Sequence, residues 1–314
     1  MVPANTRGPM HPFPQRSVAP LNQVQGIIVM RIRVLSAFLA ASLGTPALAQ
    51  DGPPSPEQAE AAQEARARLS IAAGGVWLPD YEGSDDQRWI PAPAANGTVA
   101  GMSFTVLGNR ASLDLIPEVA GKDWNLQLGP VAVVNLNRTN RDAIADLRVR
   151  ALGEIDTAVE VGGYAGIAKT GIIHDFDTLA VSLSYRHDVT RIHRSGVWNP
   201  TVNYTTPLST KALVTLFASS EIVGDRYART YFGVTPAGSV ASGLPVYRPE
   251  GGQKDISFGG MFTHALTGNL TKGLALVAGG SYKKLVGDVA DSPLVAIAGT
   301  RHQWTAGAGL ALTF

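Results

Sequence analysis

A chain of 314 residues without a single cysteine can hold neither a disulfide framework nor a thiolate metal site. Its formal net charge is +1, only 16% of residues are charged, and no run of lysine or arginine forms a basic stripe, which argues against nucleic acid as a partner. A mean hydropathy of +0.07 is too low for a bundle of membrane helices, yet it suits strands that face lipid with every second residue.

Residues 1–29 are rich in proline and show no apolar period. They read as an unstructured extension, or as a translation start placed upstream of the true one at Met30. Residues 30–49 then carry the parts of a secretory signal peptide: Arg31 and Arg33, an apolar run from Val34 to Leu43, and the small-x-small site Ala47-Leu48-Ala49. Cleavage is expected after Ala49. The apolar run is much shorter than the roughly 20 residues of a membrane-crossing helix. Residues 50–68, rich in Pro, Ala, Gln and Glu, read as a flexible periplasmic lead-in.

From Leu69 onward, stretches of about ten residues rich in Gly, Thr, Ser, Val and aromatics alternate with turn-formers, as transmembrane strands do. The pattern predicts strands at 69–78, 87–95, 98–107, 110–118, 124–136, 154–167, 177–189, 196–206, 210–223, 254–266, 271–284 and 302–314. Asn96-Gly97 is a tight-turn dipeptide and is assigned to the reversal after the second strand. Alternation is clearest at the end, where Trp304, Ala306, Ala308, Leu310, Leu312 and Phe314 share one face against Gln303, Thr305, Gly307, Gly309, Ala311 and Thr313. A secreted β-sandwich would alternate as well. The last strand ending on Phe314 favours a barrel, because a terminal aromatic is what the barrel assembly machinery receives. The expected fold is therefore all-β, an antiparallel up-and-down transmembrane barrel over 69–314 with about twelve strands, ten being the alternative count.

Charges within strands should face the lumen, since Arg or Lys at the lipid midplane costs roughly 2–4 kcal/mol. Asp114, Glu160, Arg186 and Lys283 fall on the non-apolar faces and are expected to pair across a largely filled lumen. His193-x-Ser195 sets a base and a hydroxyl on one face of an extended segment, the minimum for an activated nucleophile. No acid stands within ten positions downstream to orient the imidazole, and Arg191 and Arg194 crowd it. A basic loop contacting lipopolysaccharide phosphates is the preferred expectation. Glu82, Asp85 and Asp86 offer hard oxygen ligands for calcium or magnesium, but an acidic turn is ordinarily a solvated one, and Asp288 and Asp291 read the same way. No catalytic, cofactor or metal residues are expected.

Pro79-Asp80-Tyr81-Glu82-Gly83-Ser84-Asp85-Asp86, with Arg88 and Pro91-Ala92-Pro93 after it, resembles the first-loop signature of the MipA/OmpV family of outer-membrane proteins. Ser242-Gly243-Leu244-Pro245-Val246-Tyr247, with Gly251-Gly252, resembles the second landmark of that family, and Gly287-Asp288-Val289-Ala290-Asp291-Ser292-Pro293 the third. The resemblance implies an outer-membrane barrel without catalytic residues. It further implies a scaffold between a lytic murein transglycosylase and a murein synthase, with outer-membrane lipids and lipopolysaccharide as surroundings. A narrow pore for small solutes is the alternative, and a lipid-hydrolysing barrel the second alternative.

Overall fold

The computed structural model describes residues 69–99, 102–117 and 123–314. The expected extension, signal peptide and lead-in, 1–68, lie outside the described residues. Period-2 alternation produces fourteen strands: β1 (Leu69–Pro79), β2 (Gln87–Val99), β3 (Met102–Leu107), β4 (Arg110–Asp114), β5 (Trp124–Asn135), β6 (Ala158–Thr170), β7 (Thr178–Asp188), β8 (Gly196–Ser209), β9 (Ala212–Ser219), β10 (Ile222–Val223), β11 (Gly252–Gln253), β12 (Asp255–Ala265), β13 (Gly273–Leu285) and β14 (His302–Thr313). Each long strand pairs antiparallel with the next, β9 pairs with β12, and β14 returns to β1, so twelve strands close on themselves. The two-residue β10 and β11 only extend the outer end of β8. At the seam the Phe314 amide donates to Leu69 O at 2.9 Å, which ties the last residue to the first strand.

Both ends of the described barrel and the shorter turns lie at one end, the periplasmic end of an even-stranded barrel. At the opposite, outer end, the cross-strand aromatic pairs Trp77–Trp89, Tyr185–Trp198 and Tyr282–Trp304 mark the interface girdle. Several predicted boundaries need correction: the fourth strand stops at Asp114, short of 118, and the eighth runs on to Ser209, past 206. Asn96 and Gly97 are inside β2, paired with Ser70 and Leu69, because the strand continues to Val99 before the chain reverses. Residues 154–157 do not belong to β6, since the chain leaves a helix at Ala151 and reaches the wall only at Ala158. The ninth barrel strand stops at Ser219, short of 223.

The wall has a low point. Pairing of β2 with β3 begins at Ala94 and Leu107, and Gly108 N donates to Pro93 O (3.1 Å), so Gln87–Ala92 has a β1 partner on one side only. Because a strand residue directs its amide and carbonyl to the same side, Pro91 sets its N atom along this free edge, and Pro93 sets its own opposite Gly108 where the edge begins. Having no N–H, Pro91 removes one donor from this edge and makes it a poorer template for another chain.

Loops at the outer end fold into a cap. Its helices are α1 (Leu147–Ala151), α2 (Asp225–Phe232), α3 (Pro236–Ser242), α4 (Gly287–Asp291) and α5 (Pro293–Ala296). Local chemistry sets their ends: Asp146 accepts from the first amides of α1, while Thr235-Pro236 opens α3 and Gly243 closes it at φ 74°. Ser292-Pro293 opens α5 in the same way. Tyr227, Tyr231 and Phe232 pack on Val197, Leu285 and Val289, and beside them Tyr81, Ile144, Leu244 and Leu294 form a second core. Phe232, Leu285 and Leu294 are fully buried. Each contributes about 1.5–3 kcal/mol, so these loops hold a true hydrophobic core.

Candidate functional site

Beneath the cap, seven ionisable side chains alternate in formal sign across the lumen. Starting from β6, Glu160 meets Arg186, and Arg186 meets Glu221. Lys254 Nζ then lies 2.5 Å from Glu221 and 2.8 Å from Glu82, Lys283 Nζ 2.9 Å from Glu82, and both lysines 3.6 Å from Asp255. The chain of charges joins β6 and β7 to β12 and β13, and its central members come from loops. Lys254 and Glu160 are 2% and 0% exposed, so these two members of the chain are shielded from water. Lower down, Arg110 on β4 donates across the barrel to Asn199 Oδ1 on β8 (3.0 Å).

Electrostatics agree with the geometry. Burial would raise the Glu82 carboxyl, but the Lys254 and Lys283 ammoniums outweigh it and hold it below the usual carboxylate range. Glu221, partly buried, is held well below that range by Lys254, Arg186 and Lys283. Burial opposes the charge on Lys254, yet Glu221 and Glu82 raise its ammonium well above the ordinary value. The cap closes over this chain through Tyr227, whose hydroxyl accepts from Lys254 Nζ (3.4 Å) and Asn135 Nδ2 (3.3 Å).

The outer-loop residues singled out in sequence meet in the cap. Tyr81 is buried, with its hydroxyl 2.6 Å from Ala298 O and 3.0 Å from Leu294 O, and burial raises its phenol above the ordinary value. Gly83 adopts φ 109°, donates its amide to Gln303 Oε1 (3.1 Å), and accepts from Thr300 N (2.8 Å). Ser84 Oγ accepts from Asp86 N (3.0 Å), and Ser84 O accepts from Gln303 Nε2 (3.0 Å). Tyr247 donates its hydroxyl to Asp288 O (2.9 Å), and Asp288 Oδ2 accepts from Glu250 N (2.9 Å). Ser292 donates to Phe232 O (2.6 Å), Pro293 is buried at the start of α5, and Asp291 stands 3.5 Å from Arg301 at the surface. Arg88 alternates with outward-facing Trp89 and so lies on the inner face, and Pro91 stands on the free edge.

The family profile described as MltA-interacting protein MipA matches residues 71–314. The chain belongs to the MipA family. It is an outer-membrane β-barrel. Among solved structures it is similar to the translocator domain of the autotransporter NalP from Neisseria meningitidis, at 12% identity and TM-score 0.35, over 93% of this chain and 97% of that one. It is also similar to an outer membrane channel from Pseudomonas putida F1, at 12% identity and TM-score 0.39, over 79% of this chain and 95% of that one. No curated protein matches it in sequence.

In this MipA-family barrel the three loop motifs that carried the resemblance are one packed unit: the first seats Tyr81 on the segment after the third, and the second seats Tyr247 on the third. Asp85, Asp86, Asp288 and Asp291 are exposed, as solvated acidic turns should be, and only Glu82 departs from that expectation. Glu82 turns inward onto two lysines, and Ser292 and Pro293 are interior. Lumen-facing Asp114 has no ion-pair partner among the described residues; it accepts the amides of Ile116 (3.0 Å) and Leu128 (3.1 Å) where the β4–β5 ladder breaks off. An acid does face His193, contrary to the linear reading: Glu160 Oε1 lies 3.3 Å from Nε2, supplied from β6 and out of line for a hydrogen bond. Ser195 makes no hydrogen bond to either ring nitrogen, because Arg194 at φ 49° breaks the alternation that would have put the two side chains on one face. Glu221 and Lys254 escaped sequence reasoning entirely. Both lie just beyond strand ends, where charge ordinarily means solvent.

Proposed function

We propose that this protein is a non-enzymatic outer-membrane scaffold that holds a murein transglycosylase at its periplasmic end. The observation that carries this is the filled outer mouth: a cap with its own hydrophobic core rests on a buried, sign-alternating chain of charges, an arrangement suited to a closed barrel that works through its surfaces. The partner class comes from the family description, an MltA-interacting protein. The periplasmic turn between β6 and β7 is shaped for such contact. Asp177 is buried there and accepts the amides of Ile172 (2.7 Å) and Ile173 (2.9 Å) and the Tyr204 hydroxyl (2.7 Å), which stiffens the turn. Ile173 and Phe176 are left 75% and 76% exposed, more apolar surface than a solvated turn needs.

The non-enzymatic part rests on His193 and Ser195 being unconnected. The test is affinity capture from solubilised envelopes with the intact chain, a form lacking residues 51–64, and Ile173→Ser/Phe176→Ser. The intact chain is expected to capture a transglycosylase or murein synthase and the altered forms to lose it. Capture of neither enzyme by any form, with passage of small sugars through liposomes containing the protein, would replace the scaffold by a pore.

A further inference from the structure

Four arginines converge at the outer rim where the β7–β8 loop meets α2. Arg191, Arg194 and Arg226 line a cleft of about 640 Å³ walled by His187 and Val189, and an adjoining cavity of about 280 Å³ shares Arg194 and Arg226 and adds Arg229. Arg229 is neutralised by Asp225 at 3.0 Å. The other three are exposed and make no ion pair among the described residues.

The nearest acid is committed elsewhere. The Asp188 carboxylate accepts the amides of Thr190 (2.9 Å), Arg191 (3.0 Å), His193 (2.7 Å) and Arg194 (2.9 Å), together with the Thr190 hydroxyl (2.6 Å). That web holds Arg191 at φ 66° and Arg194 at φ 49°, left-handed conformations that a non-glycine residue keeps only when its surroundings impose them. The loop is thus pre-shaped, with unpaired guanidinium groups at its surface.

Depth identifies the occupant. His187 and Val189 continue the outward row Val181, Leu183, Tyr185, and the Tyr185 ring packs on Trp198 with centroids 4.7 Å apart. At about 3.4 Å per residue the cleft starts roughly 7 Å beyond this aromatic pair, at the level where lipid headgroups replace acyl chains. We propose that the cleft binds the phosphate groups of a phosphorylated glycolipid in the outer leaflet. Guanidinium forks match phosphate oxygens bidentately. Against three arginines the cleft sets one carboxylate, Asp188, which is held by backbone amides and pairs with none of the guanidiniums, so a phosphate-bearing lipid supplies the missing partner.

The test uses the barrel in phosphatidylcholine nanodiscs doped with lipid A carrying both phosphates, or with the same lipid A after both are removed. Lipid retained through purification is read by native mass spectrometry. The wild type is expected to retain the phosphorylated form, and Arg191→Gln/Arg194→Gln/Arg226→Gln to retain about tenfold less or lower still, while the dephosphorylated form is retained poorly by both. Arg226→Gln alone leaves the strained loop intact and is expected to lose retention several-fold, which decides the matter if the triple variant yields no compact band on unheated gels. Equal retention by wild type and variants, or equal retention of the two lipids, would overturn the proposal. Inorganic phosphate that competes fully at a concentration matching the lipid phosphate would assign the cleft to a free anion instead.

Discussion

Lys254 is the side chain on which the filled lumen most depends, and Lys254→Met tests that dependence. The ammonium lies 2.8 Å from Glu82, 2.5 Å from Glu221 and 3.6 Å from Asp255, and is 2% exposed. Its loss leaves three carboxylates whose oxygens stand within 4.8 Å of one another. Removing one partner of a buried pair costs about 3–5 kcal/mol. Lys283 still serves Glu82 and Asp255, and Arg186 still serves Glu221, so the expected loss is at the lower end, about 3 kcal/mol, or roughly two orders of magnitude in the folding equilibrium. The assay is urea unfolding in lipid vesicles followed by tryptophan fluorescence, with protease sensitivity of residues 224–251 as a separate measure of cap undocking. Lys254→Met combined with Glu221→Gln should lose less than the sum of the two single changes, because the second relieves a charge that the first stranded. A loss below about 0.5 kcal/mol, with unchanged proteolysis, would show that the charge chain does not hold the cap and refute the reasoning.

The same groups set a pH window. Glu82 and Glu221 are held below the ordinary 4.5 and Lys254 above the ordinary 10.5, so their stabilisation is complete between those values. Acid should erode it as pH falls from 4.5 through the depressed carboxyl values, and base as pH rises from 10.5 through the raised lysine value; cap proteolysis across pH reads both limbs. Gly83→Ala should lower the temperature at which the compact gel band disappears, since φ is 109° and the new methyl would stand 2.7 Å from Val295 Cγ2. Gly153→Ala, at φ 85° with nothing within 4 Å, incurs only the backbone strain of about 1–3 kcal/mol and should fall between it and the wild type. Pro91→Thr adds a donor to the free edge of β2 and should shift the refolded protein toward edge-paired dimers on size-exclusion chromatography; an unchanged monomer would mean that the edge is protected by something other than this proline.

Chain order alone misleads most where the loops are polar. Glu82 and Ser292 sit in short stretches with the composition of solvated turns, yet Glu82 faces two lumen lysines and Ser292 is buried. Their partners are Lys254 and Lys283 for the first and Phe232 for the second, brought near only when the barrel closes. His193 shows the same limit in reverse: no acid stands within ten positions downstream of it, and the one that faces it, Glu160, comes from β6.

What the sequence by itself determined is the wall: twelve strands, their inward and outward faces, and an ending on Phe314. Alternation is a property of consecutive residues, because successive side chains on a strand point to opposite faces whatever lies around them. Tertiary structure decided the cap, the sign-alternating charges beneath it and the arginine cleft at its rim. Those features join residues as far apart as Tyr81 and Ala298 or Glu82 and Lys254. Their energy comes from desolvating and pairing groups that meet only after closure, so no local pattern of residues records them in advance.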